Sequence, residues 1–443
     1  MRVDKTHLPI HDVRQQVLEL VYYNDTSILM GETGCGKSTQ VPQICLDLNL
    51  DLTIAVTQPR RVAAISLATR VAEEMGTEVG GDKVGYRVRF ENQSLPSTRV
   101  VYMTDGILLR DAMNDGLLSN YSLIIVDEAH ERSLHTDILL YIIRLAQKQR
   151  KEMGIHPLKT IIMSATVQSD LFSSYFNNAP VYLIKGRTFP VDLFYAEALD
   201  GDSADYVYNA IVSILQVHAM EPVSDDILVF MTGREEIEMA SKRLRDANKN
   251  LDKKMVVYPL YAALDTTQQQ KVFKPAPEGV RKVILSTNIA ETSLTIPGIR
   301  IVVDCGKVKQ KSFNANDRVE VLRVESISKA QAAQRAGRAG RESSGKCYRL
   351  YSSKDFEKMQ QNTIAEILRS NLAAVILELV AIGMRKLHKL KLIEQPDTEL
   401  LTSAERQLKA LGALKPSEAG KPLALTKIGK LMSAFPVEPE YSK

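Results

Sequence analysis

Three stretches of this chain bring together residue types at spacings suited to handling phosphate. The first runs Gly31, Glu32, Thr33, Gly34, Cys35, Gly36, Lys37, Ser38 and Thr39, directly behind the apolar run 27–30. Gly31, Gly36, Lys37 and Ser38 satisfy GxxxxGK[ST] at every fixed position. In that pattern a buried strand ends and the glycines let the backbone curl until successive amides converge on a phosphate. A helix then opens its positive end toward the same group. Lys37 would reach the outer phosphates of a nucleoside triphosphate as a point charge, and the Ser38 hydroxyl would take one magnesium position. Glycine-rich turns ahead of helices are common, so the rest of the chain must decide.

The second stretch places Asp127, Glu128, Ala129 and His130 at the end of the apolar run 123–126. Alone, an Asp-Glu pair there reads as a helix N-terminus. With a phosphate loop about 90 residues earlier, the reading changes. Asp127, with Glu128 beside it, then belongs to a magnesium shell, and Glu128 can polarise a water for attack on the γ-phosphate. The third stretch is Gln334, Arg335, Ala336, Gly337, Arg338, Ala339, Gly340, Arg341. Two glycines would weaken a helix kept only for surface charge. Arg338 and Arg341, three apart, are expected on one helix face, where they can act as arginine fingers on developing phosphoryl charge.

These groups need strands that end together and helices that begin there. A helix over 8–23 leads into the phosphate loop. Short apolar runs at 52–56, 100–103, 123–126 and 160–163 alternate with helical stretches at 61–75 and 106–115, which predicts a parallel α/β sheet. Ligands gather at the carboxyl ends of such strands. The segment 186–190 interrupts the rhythm, and a second series follows at 227–230, 255–260, 282–287, 299–304 and 346–351. From Ile364 the spacing turns helical, through Ile367, Leu368, Leu372, Val375, Ile376 and Leu379. The expected division is 1–186 and 187–363 as two α/β domains, with 364–443 as a small, mostly helical third.

Bulk properties agree with this. The chain has 443 residues, 44% hydrophobic and 25% charged, enough for two or three cores. No apolar run is long enough for a membrane helix, and the first residues lack the apolar centre of a signal peptide, so the chain reads as intracellular. Four cysteines without CxxC spacing suit reduced thiols and argue against zinc. A net charge of +4 leans only weakly toward polyanions.

Eight stretches in order resemble the motifs of DEAH-box RNA helicases of superfamily 2. They are 31–38, 57–64, 104–110, 127–130, 164–166, 230–233, 286–296 and 334–341. The resemblance implies two RecA-like domains with ATP (or another NTP) and magnesium between them, single-stranded RNA across their top, and then a winged-helix domain. By matched position, Gln334 would help Glu128 place the lytic water and Ser293 would sense the γ-phosphate. Arg70 and Phe273 would sandwich the base, although Phe273 by itself reads as a core aromatic. Pro297 stands where the family often has Asp, so a ribose contact is expected to be missing, and Arg234 stands where relatives often carry Gln or Glu.

Arg60, Thr104, Thr232 and Thr287 match positions that hold RNA phosphates or sugars. Such contacts position a strand without reading its sequence. Residues 307–326 resemble a duplex-splitting hairpin and equally read as a solvent-facing one. The basic run 385–391 reads as a solvated helix end that could touch RNA.

The implied activity is ATP-dependent 3′ to 5′ movement on RNA with remodelling of RNA or ribonucleoprotein. The alternatives are an NTP-switched RNA-binding or scaffold subunit without processive unwinding, and a DNA translocase. The resemblance further implies a monomer with a possible activating protein cofactor and no membrane. By resemblance, the nucleus or nucleolus is favoured over the cytoplasm. Relatives continue past a region like 425–439 into a ratchet domain and an OB-fold, so the chain is expected to be a core region that lacks them.

Overall fold

The structure is a computed structural model. It describes residues 8–443 apart from 33, 49, 51–52, 166–167, 187–188, 198–204, 292–295, 316, 318, 417–421 and 436. Two of the expected nucleotide contacts, Thr33 and Ser293, lie outside the described residues. The chain divides into two compact units: residues 1–185, 311–321 and 364–443 form the first, and 186–310 with 322–363 form the second.

The first unit is built on eight strands: β1 (Thr26–Gly31), β2 (Thr53–Gln58), β3 (Val84–Val88), β4 (Glu91–Gln93), β5 (Val100–Thr104), β6 (Tyr121–Val126), β7 (Lys159–Ser164) and β8 (Val181–Ile184). Their order across the sheet is β4-β3-β5-β2-β6-β7-β1-β8. All neighbours run parallel except β3 and β4. Strand β6 is buried along its whole length, which is why it reads as an unbroken apolar run rather than an alternating one. Because the strands are parallel, the loops after β1, β2, β5, β6 and β7 leave the sheet along one edge.

One face of this sheet packs against Val17, Val41, Ala64, Ala68 and Val71 of the helices at the amino-terminal end. The other face packs against helix Leu134–Glu152 and shares its core with Ile376, Leu379, Leu400, Leu408 and Met432 of the C-terminal segment. That segment contains helices Ala373–Ala381, Thr398–Ala410 and Lys427–Ala434, with an antiparallel bridge between Leu414 and Leu425. A winged-helix region is the expectation for this segment.

The second unit has six parallel strands: β9 (Val191–Tyr195), β10 (Asp226–Phe230), β11 (Lys254–Leu260), β12 (Val280–Ser286), β13 (Ile299–Asp304) and β16 (Gly345–Arg349). Their order is β11-β12-β10-β13-β16-β9. Strands β14 (Lys307–Asn314) and β15 (Val319–Ser326) pair as the expected hairpin.

Three expectations need correction. The helix over 8–23 is two helices, Pro9–Asp12 and Arg14–Tyr23, broken where Val13 leaves helical geometry (φ −118°, ψ 18°). The helix expected from Ile364 starts only at Ala373, where the Asn371 side chain accepts from the Ala373 N–H (2.9 Å). Before it, Glu366–Leu368 is a single 3-10 turn. Third, Arg338 and Arg341 share no helix face, because helix Lys329–Ala336 ends before them and residues 337–340 are turns. Gly340 has a packing reason: a Cβ there would lie 2.6 Å from the Phe189 carbonyl oxygen.

Candidate nucleotide site

The phosphate loop joins the end of β1 to helix Lys37–Cys45. Gly34 (φ +94°) and Gly36 (φ +99°) adopt left-handed backbone that a side chain would oppose. A Cβ on Gly36 would lie 2.8 Å from Ile10 Cγ2, whereas one on Gly34 would meet nothing within 4 Å. The loop therefore packs tightly on its protein side and is open above Gly34, as a phosphate cradle requires. Lys37 is buried, and its Nζ donates to the Gly31 carbonyl and to the Glu32 carbonyl (3.1 Å), with Cys35 Sγ at 3.5 Å.

The acidic pair reaches the same place from β6. Asp127 is buried; it accepts from Gln58 Nε2 (2.5 Å) and from the Glu128 N–H (2.9 Å), and hydrogen-bonds with the Ser38 side chain. Ser38 and Asp127, two of the three expected magnesium ligands with Glu128, thus sit within hydrogen-bond reach of each other, and their oxygen donors suit a hard cation. Burial pushes the Asp127 carboxyl up, the Glu128 charge adds to this, and Ser38, Lys37 and Gln58 only partly oppose it. The group titrates at about 6.

Sequence reasoning assigned His130 no role, and the structure gives it one. Its Nδ1 accepts from the Ala165 N–H (3.3 Å), which assigns the ring proton to Nε2, 3.5 Å from Glu128 Oε2. Gln58, at the end of β2, was also missed, since nothing in a lone Gln signals a carboxylate partner 69 positions away.

Arg70, on helix Arg61–Glu74, is more than one-third exposed and donates to Glu74 (2.6 Å). Glu74 also accepts from Gln40 and Gln43 of the helix that follows the phosphate loop. Burial pushes its carboxyl up, but these three partners outweigh that and hold it below the usual range. The structure thus ties Arg70 to the helix that starts at Lys37. Thr39 is half-buried, with its hydroxyl toward the Gly36 carbonyl (3.5 Å). Of the expected RNA contacts in this unit, Arg60 pairs with Glu131 (3.1 Å), and Thr104 sits in extended backbone immediately before helix Asp105–Asn114, with no capping bond from its side chain.

In the second unit, Gln334 lies half-buried in the last turn of helix Lys329–Ala336. Arg338 is buried and donates to the Glu291 carbonyl; Arg341 is half-buried. Arg335, which sequence reasoning left without a role, is fully buried between Glu291 (3.0 Å) and Asp304 (2.7 Å), with its guanidinium over the Phe230 ring. Burial works against its charge, but the two carboxylates outweigh that and raise its pKa. Phe273 is half-buried at the end of a 3-10 turn. Thr232 is buried, hydrogen-bonded with Tyr206 (2.8 Å) and to Glu236 (3.0 Å), and Thr287 sits immediately before the 3-10 turn Asn288–Ala290 without a capping bond from its side chain.

Three family descriptions match the chain in order. "DEAD/DEAH box helicase" covers residues 11–173, "Helicase conserved C-terminal domain" covers 207–343, and the winged-helix "Helicase associated domain (HA2)" covers 404–437. The chain thus carries these three helicase regions in order and is similar to DEAH-box helicases. It is 50% identical over 448 residues to the ATP-dependent RNA helicase DHX33 of Mus musculus, a match that takes in 100% of this chain and 63% of that protein. DHX33 of Drosophila melanogaster is 43% identical, over 98% of this chain and 62% of the relative. The chain therefore spans somewhat under two thirds of the length of these relatives. Among solved structures, the crystal structure of Escherichia coli DEAH/RHA helicase HrpB superposes with a TM-score of 0.88 at 34% identity, covering 98% of this chain and 53% of that one. Among the described residues, no helix is long and apolar enough to cross a membrane.

Proposed function

We propose that the chain is the motor core of an ATP-dependent RNA helicase, hydrolysing ATP or another NTP and moving 3′ to 5′ on single-stranded RNA. The observation that carries this is the convergence of Lys37, Ser38, Asp127 and Glu128 at one sheet edge, with Ser38 and Asp127 in contact. The amides of 31–36 and the Lys37 ammonium bind the β- and γ-phosphates. Ser38 and Asp127, with Glu128 beside them, hold magnesium, which when bound neutralises charge on those phosphates. Glu128 orients the attacking water and takes its proton, with His130 beside it and Gln334 assisting. Arg338 and Arg341 stabilise charge developing on the transferred phosphoryl group, and Ser293 responds to the γ-phosphate. Arg70 and Phe273 stack on the base, a sequence-tolerant contact that admits several NTPs.

Arg60, Thr104, Thr232 and Thr287 grip the RNA backbone, which suits movement without sequence preference. The names of the DHX33 relatives support RNA over DNA as the track. By resemblance, we place its work on structured RNA or ribonucleoprotein in the nucleus or nucleolus, as a monomer with an activating protein. Glu128→Gln is expected to lower RNA-stimulated ATP hydrolysis about 10²- to 10⁴-fold while preserving nucleotide binding. Retained hydrolysis would remove the assignment. Strand displacement on a 3′-tailed duplex tests the motor itself, since ATPase activity without displacement would indicate a switch.

A further inference from the structure

The loop that carries the acidic pair has a demanding backbone. Glu128 (φ 53°, ψ 32°) and Arg132 (φ 49°, ψ 43°) are both left-handed although neither is glycine, and they flank the 3-10 turn Ala129–Glu131. Side chains disfavour this conformation, so it persists only where the surroundings over-determine it.

Part of that determination comes from far along the chain. Arg132 is almost fully buried, and its guanidinium donates to both Asp137 oxygens at 2.8 Å. The same guanidinium lies 2.7 Å from Glu394 Oε2. Its carbonyl accepts from the Glu366 N–H (3.0 Å), and the Glu366 carboxylate accepts from the Leu134 N–H (2.9 Å) at the start of helix Leu134–Glu152. Asp137 lies on that helix and holds Arg132 locally. Glu366 and Glu394 belong instead to the C-terminal segment and take no part in the nucleotide site described above.

A purely structural reading would make these contacts a fastening between two parts of one unit. Their placement argues for more. They grip the exit of the turn whose entrance is Glu128, and a reacting group displaced by about 1 Å loses up to about a hundredfold in rate.

We propose that Glu394, through the Arg132 guanidinium, and Glu366, through its carboxylate on the Leu134 N–H beside Arg132, position Glu128, so that the C-terminal segment sets the turnover rate of a site to which it contributes no group. This rests on the reading of Glu128 as the residue that activates water. Arg132, Glu366 and Glu394 are positioning residues.

The test uses the full chain with E394A, E366A and the double variant. Steady-state ATP hydrolysis is measured with magnesium and poly(U), and kcat is referred to the number of sites that bind a fluorescent ATP analogue. The double variant should lose about tenfold in kcat, with KM and analogue affinity within about twofold. E366Q, which keeps an acceptor for the Leu134 N–H, should restore most of the loss contributed by E366A. An unchanged kcat per binding site, even with a lowered melting temperature, overturns the proposal, as does a KM that rises in step. Should E366A fail to fold, E394A carries the test alone, since that side chain is 41% exposed and Asp137 still holds Arg132. E128Q separates the two levels of argument. If E128Q hydrolyses ATP normally, the underlying site assignment fails, whereas an inactive E128Q beside unaffected E394A and E366A rejects this proposal alone.

Discussion

The acidic centre of the first unit and the guanidinium segment of the second use charge in opposite ways. Asp127 is buried with only partial compensation, so its carboxyl stays high, at about 6, and ready for a cation. Arg335 is buried just as deeply but between two carboxylates and over an aromatic ring, so its charge serves the fold. Arg338, three residues on, is also buried and donates to the Glu291 backbone carbonyl. On the proposed reading, in which Arg338 meets the phosphoryl group, these neighbouring arginines of one motif do different work, and neither their type nor their spacing distinguishes them. Incompletely compensated charge marks the group held in reserve for a ligand, while neutralised charge marks the group that holds the scaffold.

Three substitutions would break or sharpen this contrast. Arg338→Ala should produce the largest change, a fall in kcat of about 10³- to 10⁵-fold by analogy with other arginine fingers, with little effect on unfolding. A normal kcat would place Arg338 with the scaffold. Arg335→Ala should do the reverse. It strands Glu291 and Asp304 in the interior and should cost about 3–5 kcal/mol of stability, seen as a lower urea midpoint. If Arg335→Ala were inactive yet fully stable, the two arginines would have exchanged roles.

The smallest change in stability concerns Asp127. Its folded pKa, about 6, lies above the ordinary value of 3.8, so the native state prefers the protonated form. The linked stability is fully present below the unfolded value and is lost as pH rises through about 6. Asp127→Asn, which cannot ionise, should therefore stabilise the nucleotide-free protein by about 1–3 kcal/mol at pH 8, while abolishing hydrolysis. The gain should fade as pH falls from 6 toward 4. Equal denaturation midpoints at pH 8 would show that Asp127 is compensated after all, and the contrast with Arg335 would weaken.

Much of the architecture is local enough to be legible. Runs such as 123–126, completely buried and apolar, announce themselves, and so does the glycine-rich turn ahead of Lys37. Elements without a strong periodic signal were missed: the short antiparallel pair β3–β4 and the edge strands β8 and β9, whose exposure alternates or is high. Helix boundaries misled where a tertiary bond competes with periodicity. At 366–368 the backbone N–H of Glu366 is drawn to the Arg132 carbonyl, and the helix waits until Ala373.

Residue types and order alone were enough to establish a phosphate loop, an acidic pair at a strand end, an arginine-rich second motif and two α/β series, because each depends on neighbours within a few positions. Packing decided the rest. Strand order brings Gln58 and Asp127 together across 69 positions and lets Glu366 cap Leu134 across 232. A turn of the chain cannot express such bonds, because their donors and acceptors become neighbours only after the apolar faces of distant segments have left water.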